Sequence, residues 1–262
     1  FDETEQQPFC ELTLVRLADN HFSLEGCYPG DNPLNLKIAI TDPALFLQGK
    51  LTTLLAQNHI KVNGDIAISA RYPLQSLLLA EHQSAPLKAM VATMLLKSDN
   101  LIADSLLKRL GQQVYGGKAS FAKGSAAIAL VLAQQGVDLQ SAHIVDGSGL
   151  SRYNLLSANH LSQVLQLVLE HPQYQSIIKA LPIAGESGTL KYRKGYSSAP
   201  LKAAVIGKTG TMLGVSNIAG FIKQEGKITA SFVILQNGVS PAQASLPATA
   251  LDVSILQQFV VH

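Results

Sequence analysis

Leu12, Leu14 and Leu17 run up to Asp19-Asn20 and are answered by Phe22 and Leu24, an alternation that predicts a short hairpin turning near Ala18-Asp19. Cys27-Tyr28-Pro29-Gly30-Asp31-Asn32-Pro33 follows, dense in turn formers. Leu34, Leu36, Ile38 and Ile40 then alternate with polar or small residues and predict a half-buried strand. Asp42-Pro43 opens a helix with Asp as its cap and Pro at its first position; Leu47, Leu51, Leu54 and Leu55 follow at helical spacing, and Asn58 ends it. Ile60 to Ile68 is strand-like again with a bend at Gly64, so residues 34–70 read as strand, helix, strand.

Residues 71–83 form a polar link, and a domain boundary is expected there, dividing the chain into 1–83 and 84–262. Ser84-Ala85-Pro86 opens a helix with Leu87, Met90, Val91, Met94 and Leu95 on one face. It runs into a polar break, Lys97-Ser98-Asp99-Asn100, after which Leu101, Ile102, Leu106, Leu107 and Leu110 resume helical spacing until Gly111 closes the second helix. A third helix is predicted from Ser120 to Gln135 and a fourth, capped by Ser157 and ended by His171-Pro172, carries Leu161, Val164, Leu165 and Val168. Tyr174 to Leu181 predicts a short helix, and Gly185 to Lys194 a loop or single turn.

From Lys202 the period changes to two. Three strands are predicted: one around Ala203 to Ile206, then Ile218 to Ile222 and Ile228 to Leu235, the last two joined by a hairpin at Gly226-Lys227. A helix from about Ala242 to Val261 closes the chain, with Leu251, Ile255, Leu256 and Phe259 on one face. Helices followed by an antiparallel run argue for an α+β fold, helices packed on an antiparallel sheet, and against a doubly wound parallel sheet.

With 47% hydrophobic and 15% charged residues among 262, the chain has the profile of a well-buried core. A net charge of +2 with scattered basic residues leaves no footprint for nucleic acid. No apolar run approaches the roughly 20 residues that cross a bilayer. The start, Phe1-Asp2-Glu3-Thr4-Glu5, has neither a Met nor a signal-peptide profile, so the expectation is a soluble chain, processed or cut at its start. Cys10 and Cys27 fall almost opposite each other across the open end of the first hairpin. A disulfide there would contribute on the order of 3 kcal/mol and imply an oxidising compartment such as a bacterial periplasm; two small buried thiols are the other reading.

Candidate chemistry gathers in two places. Gly207-Lys208-Thr209-Gly210-Thr211, at the end of a predicted strand, puts a cation, a hydroxyl and open backbone N–H groups side by side, as an anion clamp needs. Taken alone, the same residues read as a turn with a solvated Lys, since three-residue matches are cheap. In the polar break, Ser98 and Asn100 need partners if buried, because an unsatisfied hydroxyl or amide costs roughly 1–3 kcal/mol.

Together, Lys97-Ser98-Asp99-Asn100-Leu101-Ile102-Ala103-Asp104, Asp146-Gly147-Ser148-Gly149-Leu150-Ser151-Arg152, Gly207-Lys208-Thr209-Gly210-Thr211 and Asn217-Ile218-Ala219-Gly220-Phe221 closely resemble the D-alanyl-D-alanine carboxypeptidase/endopeptidase family of penicillin-binding protein 4 type, within the penicillin-binding protein and serine β-lactamase superfamily. The resemblance implies a periplasmic serine peptidase with a penicillin-binding (β-lactamase-like) domain, acting on D-Ala-D-Ala peptides of peptidoglycan through an acyl-enzyme, inhibited by β-lactams and using no metal or organic cofactor. It implies that Ser98 relays a proton to the leaving amine, that Asn100 holds the substrate amide and the nucleophile's lysine, and that Lys208 supplies positive potential. Thr209 and Gly210 would receive the substrate, Thr209 through its terminal carboxylate, and the Thr211 N–H would form half of an oxyanion hole. Arg152 has two readings, a ligand for a stem-peptide carboxylate or a surface Arg tying down its own loop.

One part of the family pattern is missing. The family's nucleophile lies in an SxxK motif ahead of the SxN motif, and no SxxK precedes Ser98. The matches at Ser105/Lys108, Ser120/Lys123 and Ser176/Lys179 come too late and read as surface helix residues. The expectation is therefore a C-terminal portion: residues 1–83 as the return leg of an inserted α/β domain with a β-hairpin, residues 84–262 as the larger share of the catalytic domain, and the SxxK segment supplied from elsewhere. The alternative is a non-catalytic protein that binds peptidoglycan peptides. A class A or C β-lactamase is disfavoured because the opening third has no counterpart in those enzymes.

Overall fold

Asp19 and Asn20 both have positive φ, 55° and 60°, and turn strand β1 (Thr13–Arg16) back on β2 (Phe22–Glu25), with Thr13 opposite Glu25 and Arg16 opposite Phe22. The computed structural model describes residues 12–28, 33–36, 38–69, 77–78, 80–239 and 250–260. By its contacts the chain divides into two compact units, Phe1–Glu81 and His82–His262.

In the first unit the hairpin tip sets the start of α1 (Pro43–Gln57). Asn20 Oδ1 accepts from the Thr41 and Asp42 N–H groups at 3.0 and 2.8 Å, and its Nδ2 donates to Asp42 O at 2.8 Å. Asp42 in turn caps the helix, accepting from Leu45 N at 2.9 Å, with Pro43 at the first position. Among the described residues the strands expected at Leu34 to Ile40 and Ile60 to Ile68 are not formed, and only β1 and β2 pair in this unit. Alternation marks an apolar face, but a strand is stabilised by cross-strand partners, and neither segment has one there. The second is held to α1 through its backbone, Gln48 Nε2 donating to Ile66 O. The expected Cys10–Cys27 bridge lies outside the described residues, since Cys10 is not among them.

The second unit begins with α2 (Leu87–Lys97), α3 (Asn100–Tyr115) and α4 (Phe121–Gln134). Gly111 does not close α3, which runs on to Tyr115 and is capped by Gly116, whose N–H reaches Gln112 O at 2.8 Å. Gly111 is instead where α3 and α4 touch: a Cβ there would stand 2.4 Å from Gly124 N, and one on Gly124 2.5 Å from Leu107 O. Then come α5 (Ala158–Glu170) and the short α6 (Gln175–Ala180). Ser157 caps α5 reciprocally with His160, as its place before the apolar run predicts.

Strands β3 (Val205–Met212), β4 (Val215–Gln224) and β5 (Lys227–Asn237) form an antiparallel sheet in that order. The last hairpin turns one residue earlier than expected, through Glu225 and Gly226 with φ of 49° and 81°, the two positive angles that a tight two-residue hairpin demands. The pleat sends alternate residues to opposite faces. Val205 and Ile222 pack with Leu190, Tyr196 and Leu201, and with Val253 and Leu256 of α7 (Leu251–Val260); Ile206 and Phe221 pack on the other side with Val168 of α5 and Ile178 of α6. Helices therefore cover both faces of the sheet. No described helix is long and apolar enough to cross a membrane.

Candidate active site

The polar break between α2 and α3 is a single tight reversal. Ser98 takes the left-handed conformation, φ 54° and ψ 51°, and Asp99 caps α3 by accepting from Ile102 N at 2.9 Å. A left-handed non-glycine residue costs about 1–2 kcal/mol. The half-buried hydroxyl of Ser98 receives a hydrogen bond from Lys208 Nζ at 2.8 Å, and the same ammonium donates to Thr209 O at 2.8 Å. Burial holds the Lys208 pKa below its ordinary value.

Lys208-Thr209-Gly210 lies inside β3, not at a turn: Lys208 pairs with Ala219, Thr209 with Ile218 and Gly210 with Asn217. β3 is an edge strand of this sheet, and its first part is covered by backbone, Gly207 N donating to Pro182 O at 2.9 Å. Along a strand the N–H groups alternate between the two edges. Gly207 pointing outward therefore sets Thr209 and Thr211 pointing outward as well, and the bond from Lys208 Nζ to Thr209 O has the direction this requires.

Ser98, Asn100, Lys208, Thr209, Gly210 and Thr211 all line one cleft of about 620 Å³. One lip is the loop Ser148-Gly149-Leu150. Asp104 Oδ1 on α3 accepts from Gly147 N at 3.0 Å and Ser148 N at 2.9 Å, and Asp146 accepts from Gly149 N and Ser151 N, both at 2.7 Å. Gly147 lies so close to α3 that a Cβ would stand 2.4 Å from Ala103 O. The opposite wall carries Thr189, whose hydroxyl is 2.9 Å from that of Thr209, and Arg193.

Arg152 does not line the cleft; it is exposed and donates from Nη2 to Leu213 O at 2.8 Å, tying its loop to the β3–β4 turn. Nor does any late SxxK match line it. Ser120 caps α4 and Lys123 Nζ bonds Gly116 O at 2.7 Å; Lys108 lies over the Phe121 ring at 4.7 Å; Lys179 is exposed. Thr189 and Arg193 escaped sequence reasoning because Gly185 to Lys194 carries no periodicity. Two polar side chains on either side of Leu190, Thr189 next to it and Arg193 three residues on, were the available signal.

Helices on both faces of an antiparallel sheet, with a cleft opening along its edge strand, define the class of penicillin-binding folds. The crystal structure of penicillin binding protein 4 (dacB) from Haemophilus influenzae superposes with a TM-score of 0.84 at 32% identity, covering 98% of this chain and 57% of that one. The same protein complexed with a β-lactam gives a TM-score of 0.82, also at 32% identity, covering 96% of this chain and 58% of that one. The pattern of the D-Ala-D-Ala carboxypeptidase 3 (S13) family matches residues 2–258, and the chain belongs to that family. Among curated relatives, D-alanyl-D-alanine carboxypeptidase DacB of H. influenzae is 34% identical over 91% of this chain, and the D-alanyl-D-alanine carboxypeptidase of Actinomadura sp. 32% identical over 86%. The chain spans about half of the length of these relatives, 50% and 42% respectively.

Proposed function

We propose that this chain forms the SxN and KTG side of the active site of a periplasmic peptidoglycan D-Ala-D-Ala carboxypeptidase/endopeptidase that works through a serine acyl-enzyme. The observation that carries this reading is the Lys208 Nζ to Ser98 Oγ hydrogen bond, 2.8 Å, at the mouth of a cleft along an edge strand. A peptide laid along β3 meets the outward N–H groups of Thr209 and Thr211. Thr211 N–H then stabilises the oxyanion as the scissile carbonyl becomes tetrahedral, and Thr209 Oγ1 donates to the terminal carboxylate. Ser98, held by Lys208, passes a proton to the leaving amine, while Asn100, exposed at the start of α3, binds the substrate amide. Arg152, on the loop tied to Leu213, is proposed to reach a stem-peptide carboxylate beyond the cleft proper. The attacking serine is proposed to lie in an SxxK segment outside these 262 residues, as no described SxxK match lines the cleft.

Incubation with a fluorescent penicillin and intact-mass measurement test this. The longer protein containing this chain acquires one covalent adduct and the 262-residue chain alone none. An adduct on the isolated chain overturns the assignment of the nucleophile to another segment. No adduct on the longer protein overturns the enzyme and favours a module that binds cell-wall peptide without cutting it, the reading that the missing SxxK also supports.

A further inference from the structure

Arg193 has an odd relation to its partner. Asp252, on α7, is 2% exposed, and its Oδ2 takes both the Arg193 Nη2 bond at 3.0 Å and the Tyr196 hydroxyl at 2.7 Å. Its Oδ1 is buried with no hydrogen-bond partner. Arginine–carboxylate pairs are frequently bidentate, with two parallel N–H groups, one to each oxygen. Here the guanidinium touches Asp252 with one nitrogen only. The same Nη2 also approaches Ser216 Oγ at 3.5 Å, while a guanidinium carries five N–H donors in all. The arginine side chain is 23% exposed against 3% for the aspartate, and Arg193 lines the cleft.

Its place along the cleft follows from the sheet register. Ser216 is the cross-strand partner of Thr211, so Arg193 stands at the Thr211 end of the edge strand, beyond Thr209 as seen from Lys208. Among the described lining residues Lys208 and Arg193 are the cations, and there is no Asp or Glu. Asp252 and Ser216 both meet the arginine at Nη2, so neither engages its other N–H groups, and the residue lines the cleft. A planar fork held in place is suited to a carboxylate, which it meets in a bidentate fashion.

We propose that Arg193 is a specificity-determining residue of the cleft, donating to the C-terminal carboxylate of the D-Ala-D-Ala ligand beside Thr209 and Thr211. This rests on the proposed function above, and it makes the free carboxylate, not just the D-Ala-D-Ala backbone, what the far end of the cleft selects.

The probes are diacetyl-L-Lys-D-Ala-D-Ala and its C-terminal amide, titrated calorimetrically against the longer protein that contains this chain. The paired variant Arg193→Gln with Asp252→Asn removes both charges and keeps groups able to hydrogen-bond each other, and Arg193→Lys keeps the charge but loses the fork. A hydrogen bond to a charged group is worth about ten- to a hundredfold in affinity. The paired variant is expected to lose at least tenfold for the acid and less than twofold for the amide, and Arg193→Lys to lose part of the acid preference with its melting temperature close to wild type. Equal losses for acid and amide, or an unchanged acid affinity, overturn the role of Arg193. Wild type binding both probes equally overturns it too, while leaving the D-Ala-D-Ala cleft standing. Wild type binding neither overturns the proposed function itself.

Discussion

Lys208 Nζ lies 2.8 Å from Ser98 Oγ, although the two residues are 110 positions apart in sequence. The contact joins the reversal between two helices to the edge of the sheet. Lys208→Met removes the charge and leaves Ser98 without its donor. In the longer protein, acylation by penicillin should fall by about 10²–10³-fold, the cost of losing one such preorganised donor, as read by the rate of adduct formation.

Burial lowers the Lys208 pKa from the ordinary 10.5, so the folded chain gives up this proton before the unfolded chain does. Stability from this group is lost as pH falls through its folded pKa and is fully present above 10.5. Wild type should therefore gain stability relative to Lys208→Met as pH rises toward 10.5. Urea unfolding of the two proteins across pH 7–11 measures it; a flat difference contradicts the assignment.

Tyr196 is fully buried and donates to Asp252 Oδ2, and burial and that carboxylate both push its pKa far above the ordinary 10. The sign is opposite to that of Lys208: this contribution is complete below pH 10 and declines as pH rises beyond it, since only the unfolded chain then forms tyrosinate. Tyr196→Phe should cost about 1–3 kcal/mol at neutral pH, because Asp252 loses a bond it cannot replace, and should flatten the alkaline decline above pH 10.

A methyl group added at Gly124, where α3 crosses α4, meets the backbone oxygen of Leu107 first, at 2.5 Å, and then its side chain. Gly124→Ala should destabilise by about 1–3 kcal/mol or more, with a lower urea midpoint. A neutral result would mean that the helices can part there without loss.

Asp104 holds the Ser148 lip through two backbone N–H groups. Asp104→Ala should cost about 1.5–3 kcal/mol for each such bond to a charged group that goes unreplaced and weaken penicillin binding by the longer protein, whereas Asp104→Asn keeps an acceptor and should retain most of both. Equal damage from the two substitutions would point to the charge and not to the loop.

Local signals carried much of the fold. Asp42-Pro43 and Ser157 announced their helices because a cap acts within three residues, and the three strands announced themselves by a period of two. Gly111 read as a terminator because its true neighbour, Gly124, sits on another helix. Among the described residues the segments Leu34 to Ile40 and Ile60 to Ile68 have no strand partner, which alternation alone does not supply. In the cleft, Ser98, Asn100 and Lys208 to Thr211 were legible as motifs. Arg193 was not, since what orients it is Asp252, 59 positions further on.

Ser98 is bent into a backbone shape that glycine adopts without penalty. Ser98→Gly therefore relieves the reversal while deleting the hydroxyl that meets Lys208, and should give a protein that melts higher and reacts less. At this position, evolutionary drift toward a sturdier chain and retention of the proposed chemistry pull in opposite directions, so a tougher homologue with glycine here is expected to have given up that reaction.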